Sequence, residues 1–358
     1  MSNGGTASLD PYPIDRERWI HSFKTALACL TGYLFAKAIH LQASQWIVIT
    51  TLVVMCAQVN VGSVLQKSYM RLLGTLSGAA LAIITLAIFP NNPFATACVI
   101  VLAAACFSFI ATSETNFSDS GTLGAVTVTI ILIGQNPSIA TGLERCLEII
   151  LGIIIAALIS QFVLPIHARN HLRRTQATTL RQLKIYYEHT LMNKPNIIQA
   201  QDLLNLDENI VKSLILQRRL ANDAKREKLG LKFNIEYFKN ALWCEKEILR
   251  CITFMYQSSE SLTTSKKIFP DLTALKEFHF SICNRLDEIA DSIENDKPAT
   301  IEFSNFDNLS SAFTNIRTDL SKDERISLDA FLFCAEVLVK RLDKLISLNN
   351  KIDASYSR

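Results

Sequence analysis

Two arginines carry the clearest chemistry in the apolar part of this chain. Arg71 precedes eighteen residues without a formal charge, Leu72 to Phe89, and Arg145 leads a second apolar segment toward Gly152. A guanidinium binds a carboxylate through two parallel hydrogen bonds. A charged side chain at membrane depth normally faces a bundle interior or a watery path. Arg71 and Arg145 are therefore candidates for an organic-anion pathway.

Other polar residues near these arginines extend the candidate pathway. Lys67 stands one helical turn before Arg71, and Gln58 and Asn60 close the preceding apolar segment. Gln58 and Asn60 have an alternative role in capping or cross-linking helices. Arg145 also has an alternative, because Glu148 follows three residues later and a neutralised pair could form on one helix face.

The stretch Lys67–Pro90 has the length and composition of a membrane helix. Gly74, Thr75 and Gly78 place small residues on one face, and Gly152 repeats the feature in the later segment. Small residues let a second helix approach closely where lipid supplies no hydrophobic drive. The spacing predicts close packing, either within one subunit or between two.

The two arginine-led segments indicate an internal repeat. Arg145 precedes Gly152 by the interval that separates Arg71 from Gly78, and the arginines are 74 residues apart. The same offset carries the first and second apolar segments onto the fourth and fifth. Three helices followed by three similar ones must enter the membrane from opposite sides, which is the plan of an inverted 3+3 repeat.

Charge divides the chain into an apolar and a polar half. Residues 1–165 contain seven of the 36 Lys and Arg and seven of the 33 Asp and Glu, and the rest follow Pro165. We expect a disordered N-terminus (1–15), a six-helix transmembrane domain (16–165) and a cytoplasmic α-helical domain (166–358). The predicted membrane segments are, approximately, Ile20–Ile39, Trp46–Val61, Lys67–Pro90, Phe94–Ala111, Gly121–Gln135 and Leu143–Pro165.

The placement of Lys and Arg predicts the orientation. With the amino terminus inside, the cytoplasmic side receives Arg16, Arg18, Lys24, Lys67, Arg71 and the basic run after Pro165. Both termini are thus expected in the cytoplasm, with Lys24 snorkelling toward the interface. Met1–Arg18 lacks the apolar region of a signal peptide.

The polar half reads as helical, with breaks near Lys194–Pro195, Phe269–Pro270 and Asp296–Pro298. Its last helix has an apolar stripe of alternating three- and four-residue spacing, Leu328, Phe331, Ala335, Leu338, Leu342 and Leu345. The stripe predicts either a core-facing helix or a subunit contact.

No pattern in the sequence indicates an enzyme or a cofactor. P-loop, GxGxxG, GxSxG and HExxH motifs are missing. No CxxC pair accompanies the nine cysteines, and His167 and His171 lack a third metal ligand nearby. The net charge of +3 gives no argument for nucleic acid. We expect no enzyme activity, cofactor, metal or nucleic-acid partner.

The run RLLGTLSGAALA, with Trp46 opening the preceding helix and Arg145 leading the sixth toward Gly152, resembles the fusaric-acid-resistance-like (FUSC) family. This family includes aromatic carboxylic acid efflux proteins and, more distantly, plant aluminium-activated malate channels. The resemblance covers about residues 16–190 and implies six membrane helices followed by a cytoplasmic helical domain. Many bacterial members contain two such units and this chain has one, so the analogy implies a homodimer.

The resemblance and the arginines together predict a bacterial inner-membrane transporter that exports organic, chiefly aromatic, carboxylate anions. The lipid bilayer and an organic anion are its expected partners. Two alternatives remain open, a passive organic-anion channel and a non-transporting membrane scaffold with a helical interaction domain.

Overall fold

The computed structural model of this chain describes residues 14–39, 45–56, 58–90, 92–113, 117–134, 137–191, 200–227, 234–261, 273–299, 306–317 and 320–356. These residues form twelve α-helices and no strand, which confirms the all-helical class predicted from the sequence. The chain divides into two compact units between Ala168 and Arg169. That the first lies in the membrane and the second in the cytoplasm stays a prediction at this point.

Six helices form the first unit, one for each predicted apolar segment. They are α1 (Ile14–Ala38), α2 (Gln45–Met55), α3 (Val61–Ile88), α4 (Pro93–Ala111), α5 (Ser118–Ile133) and α6 (Ile139–Phe162). Helix α1 begins at Ile14, inside the segment 1–15 for which disorder is predicted, and residues 1–13 lie outside the described ranges.

The border between the second and third segments also differs from the prediction. Helix α2 ends at Met55, and Val61 opens α3 instead of closing α2. Asn60 is extended before α3, and its carbonyl accepts hydrogen bonds from Val64 N at 3.1 Å and Ser63 Oγ at 2.8 Å. The start of α3 cannot be read from an apolar run in the sequence, because the first turns of this helix mix apolar and polar residues.

Length and composition single out α3 and α4, which among the described helices are long and apolar enough to cross a membrane. The apolar helices α2 and α5 have only 11 and 16 residues. At 1.5 Å per residue they extend about 16 and 24 Å, less than the ~30 Å of a hydrocarbon core. In α4 only Ala103 is buried, so large apolar side chains such as Phe109 remain exposed.

The helix contacts of the first unit repeat after three helices. Helix α3 packs on α5 as α6 packs on α2, α1 packs on α2 as α4 packs on α5, and α3 and α6 pack on each other. At atomic scale, Gly78 lies against Gly124 and Gly152 lies against Thr50. Moving 74 residues forward from Gly78 gives Gly152, and moving 74 residues back from Gly124 gives Thr50. The packing therefore follows the repeat seen in the sequence.

Glycine allows two of these helix pairs to touch through their backbones. A Cβ atom on Gly78 would lie 2.5 Å from Gly124 O, and one on Gly74 would lie 2.6 Å from Ser120 O. A Cβ on Gly152 would lie 2.8 Å from Ile47 O. The glycine face of α3 therefore packs on α5 of the same chain, and Thr75 is buried beside it.

The second unit contains the remaining helices. They are α7 (Ala168–Leu191, which starts at the boundary), α8 (Ala200–Arg226), α9 (Ile235–Ser261), α10 (Thr273–Asn295), α11 (Phe306–Ile316) and α12 (Lys322–Tyr356). The predicted break at 296–298 follows α10, where Asp296 has a left-handed φ of 57°. The breaks predicted at 194–195 and 269–270 lie outside the described residues.

Helix α12 packs along α9 and supplies much of the core of this unit. All six members of its apolar stripe are buried within the single chain, from Leu328 to Leu345. The stripe is therefore a core-facing surface. The alternative that it forms a subunit contact is wrong, because its side chains are already covered.

A carboxyl group lies in the same core. Glu245 of α9 is fully buried, and it accepts hydrogen bonds from Gln176 Nε2 of α7 at 3.3 Å and Gln217 Nε2 of α8 at 2.7 Å. Burial raises the pKa of Glu245 to about 7, although the two amide hydrogen bonds act to lower it. One carboxyl thus connects three helices and favours its protonated form.

The α3–α5 contact gives a stability prediction. Gly78→Ala puts a methyl group against the Gly124 carbonyl, so the helices must separate, at a cost of about 1–3 kcal/mol. We expect a melting temperature several degrees lower for the detergent-purified protein. Gly32→Ala is the matched control, because its new methyl would lie 3.4 Å from Ile47 Cγ2, an ordinary contact. Equal melting temperatures for the two variants would contradict the packing argument.

Glu245 gives a pH prediction. Its pKa is about 7 when folded and near 4.5 when unfolded, so its stabilising contribution is full below pH 4.5 and is lost as the pH rises through 7. The loss amounts to about 3 kcal/mol at 1.36 kcal/mol per pKa unit. Glu245→Gln should remove this pH dependence, because a carboxamide does not titrate in this range. The variant should still pack, since Gln217 Oε1 has no partner among the described residues and can accept from the new amide.

The measurement is thermal unfolding of the full chain at pH 5 and pH 8. The wild type should lose more stability between these values than Glu245→Gln does. Glu236→Gln, which changes an exposed carboxylate on the same helix, should behave as the wild type. A Glu245→Gln variant with unchanged pH dependence would refute the assignment.

Candidate functional site

Arg71 lies much deeper in its helix than the sequence indicated. Helix α3 begins at Val61 and ends at Ile88, so Arg71 is ten residues, about 15 Å, from its start and close to its midpoint. The uncharged run in the sequence begins only after Arg71, so Arg71 marks the start of that run but not the start of the helix.

The guanidinium of Arg71 is buried without a protein partner for its Nε atom. Its side chain is only 5% exposed, and no carboxylate of the described residues pairs with it. Ser68 and Thr75, at helical spacing on either side, bury hydroxyl oxygens that also have no hydrogen-bond partner in the described part of the chain. We call Ser68, Arg71 and Thr75 the α3 polar face.

Unsatisfied polar groups of this kind are rare in folded proteins, and each one calls for water, an ion or a ligand. The α3 polar face offers one positive charge and two hydroxyl groups. A carboxylate matches this face, because it is anionic and accepts hydrogen bonds from the guanidinium and both hydroxyl groups. The arrangement can therefore hold an organic anion inside the helix bundle.

Lys67 has a different environment from Arg71, although it lies one turn away on α3. Its Nζ is 2.9 Å from Asp119 Oδ2, a residue of the first turn of α5. Both side chains are partly exposed. The pair neutralises Lys67 and connects α3 to α5.

Arg145 is also paired. Its Nη1 donates to Glu148 Oε2 at 2.8 Å within α6, and its guanidinium carbon lies 5.2 Å from the centre of the Trp46 ring in α2. Glu148 is only 3% exposed. These are the contacts of the neutralised pair that the sequence left open as the alternative to a pathway role.

Gln58 and Asn60 lie in and after the link from α2 to α3. The backbone N of Gln58 donates to Met55 O at 3.0 Å, and its side chain is partly exposed. Asn60 is buried, and its Oδ1 has no hydrogen-bond partner. Asn60 is eleven residues before Arg71, about 16 Å along the axis, so the structure does not bring the two together.

Lys24 is a buried cation that the sequence placed at the interface. Its side chain is fully buried in α1, and Nζ donates to Ser160 O of α6 at 3.1 Å. Helix α1 begins at Ile14, so Lys24 lies about 15 Å from the start of the helix. Its snorkelling toward the interface stays a prediction, and its amine is bonded to a carbonyl near the end of α6.

Metal chemistry finds no support in the described part of the chain, where no group of three or more His, Cys, Asp or Glu could hold an ion. The described cysteines are free thiols.

Residues 18–220 match the Fusaric acid resistance protein family. The chain is 32% identical over 170 residues to the Multidrug resistance protein MdtO of Escherichia coli K12, and the aligned region covers 46% of this chain and 25% of that protein. It is 26% identical over 226 residues to the Inner membrane protein YeeA of the same strain, 62% of each chain. MdtO of Shigella flexneri is 32% identical over 152 residues, 40% of this chain and 22% of that protein. The chain thus spans a quarter of MdtO and less than two thirds of YeeA.

Proposed function

Because this chain belongs to the Fusaric acid resistance protein family, we propose that it is a membrane transporter that exports organic, chiefly aromatic, carboxylate anions. The names of its relatives support export and an inner membrane, since one is a multidrug resistance protein and the other an inner membrane protein. The aromatic class of substrate rests on the resemblance to aromatic acid efflux proteins.

Arg71 is the single observation that carries the anion part of the proposal. Three cations of the first unit were candidates for a pathway. Lys67 pairs with Asp119 and Arg145 pairs with Glu148, whereas Arg71 has no carboxylate among the described residues. An unpaired cation near the middle of a long apolar helix attracts an anion there, because membrane burial raises the cost of leaving its charge unmatched.

The proposed membrane arrangement has six helices in an inverted 3+3 repeat, with both termini in the cytoplasm. Lys24 Nζ donates to Ser160 O, which joins the first half of α1 to the end of α6. Val61 N donates to Ile166 O, which brings the start of α3 to the same end of the first unit. Arg16 and Arg18 open α1 at that end. A concentration of Lys and Arg favours the cytoplasmic side.

Two other functions would leave different signs. A passive channel would conduct without saturation or coupling to an ion gradient. A scaffold would move no carboxylate at all. Reconstituted vesicles distinguish all three when radiolabelled benzoate and acetate are tested with and without a proton gradient.

A homodimer is the proposed assembly, since many family members contain two such units in one chain and two-fold dimers are the commonest closed assembly. The interface must use a face other than the α12 stripe, which is covered. Light scattering of the detergent-solubilised protein should give twice the chain mass of 40.0 kDa after correction for detergent. A protein that stays at one chain mass at every concentration would exclude the dimer.

The transport prediction concerns Arg71. Arg71→Gln removes the unpaired charge, so benzoate efflux should fall at least tenfold, because a hydrogen bond to a charged group contributes about 1.5–3 kcal/mol. Arg71→Lys should keep part of the activity, since it retains the charge without the planar fork. Insertion and melting temperature should stay near the wild type in both variants.

Arg145→Gln is the matched comparison. It leaves Glu148 buried without its partner, so its main effect should be a lower melting temperature. Wild-type efflux by a well-inserted Arg71→Gln protein would remove Arg71 from the pathway.

A further inference from the structure

A cavity of about 360 Å³ lies between α8 and α9 in the second unit. One side carries Arg218 and Ala221 of α8, and the other carries Phe238, Lys239, Trp243 and Lys246 of α9. The α9 residues recur at helical spacing, so they share one face of that helix. The small side chain of Ala221 opposite this face leaves the space open.

The cavity is positively charged. Arg218 and Lys246 have no ion-pair partner among the described residues, whereas Lys239 is 2.9 Å from Glu236. The described lining contains three cationic side chains and no carboxylate. Positive charge without a protein counter-charge in a concave site raises the local concentration of anions.

The rest of the lining is apolar and aromatic. Phe238 is buried, and the Trp243 ring is partly exposed. Arg341 and Lys344 of α12 lie 4.1 and 5.0 Å from the centre of the Trp243 ring, which adds positive charge near the cavity. Rings bordered by cations suit a flat apolar ligand with one negative group, because the ring surface and the charge are satisfied separately.

We propose that this cavity binds a small aromatic carboxylate, with the ring against Phe238 and Trp243 and the carboxylate at Arg218 and Lys246. The volume is at the lower end of the range of about 300–1,000 Å³ for ligand sites, which fits a single-ring acid. The site belongs to the second unit and shares no residue with the α3 polar face. It stands whether or not the protein is a transporter.

Direct binding tests the proposal on the full-length, detergent-purified protein. The Arg71→Ala background removes the proposed membrane site, and calorimetry then follows the binding of benzoate. One benzoate per chain is expected. Cyclohexanecarboxylate, with the charge but no aromatic ring, and benzamide, with the ring but no charge, should each bind at least several-fold more weakly. No benzoate binding, or equal binding of all three probes, would overturn the site.

Two charge variants locate the binding. Arg218→Gln and Lys246→Gln should each raise the benzoate dissociation constant about tenfold. Arg219→Gln makes the same charge change on the next residue of α8, which does not line the cavity, and should leave the constant unchanged. Equal weakening by Arg219→Gln would show a general charge effect and refute the cavity. Arg71→Gln should lose benzoate efflux but keep the calorimetric benzoate binding that Arg218→Gln weakens, and this result would separate the cavity from the transport pathway.

Discussion

The contact between α3 and α5 is the constraint on which the first unit depends. Gly78 and Gly124 bring the two helix backbones together, and the equivalent contact of Gly152 with Thr50 joins α6 to α2. In the proposed membrane arrangement, lipid offers no hydrophobic drive between helices, so such contacts would supply the association through close packing. They also bury the face of α3 that bears Arg71, so the packing that holds the bundle together encloses a charge at its centre.

The three cations of α3 and α6 show how burial and pairing decide the role of a charge. Lys67 and Arg145 each contact a carboxylate, and Arg145 also lies near the Trp46 ring, so their charges are compensated by the fold. Among the described residues, Arg71 has neighbours that can donate hydrogen bonds but none that can neutralise it. A buried group of this kind is stabilised by a bound anion or water.

Some of this could be predicted from the sequence and some could not. The glycines and the 74-residue offset predicted close packing and a repeat, because small residues and repeats are local signals, but they did not show that α3 pairs with α5 and α6 with α2. The distances of Arg71 and Lys24 from their helix starts were not predicted, because Ile14 precedes the first apolar segment and Val61 was assigned to the end of the second. The stripe of α12 fitted both a core and an interface, and only the position of α9 decides between them. Glu245 gave no signal, because its partners Gln217 and Gln176 are 28 and 69 residues away in sequence.

Among the many differences between the two halves of the repeat, one gives the first unit a polarity. The offset that converts Arg71 into Arg145 converts Gly74 into Glu148, so the later half carries a carboxylate where the earlier half carries only a hydrogen atom. The pseudo-symmetric arginines are therefore electrically unequal, one compensated and one open. An anion in the proposed pathway would be attracted from one half of the repeat alone. In the proposed inverted arrangement, the two halves would thus form a path whose two directions are not equivalent.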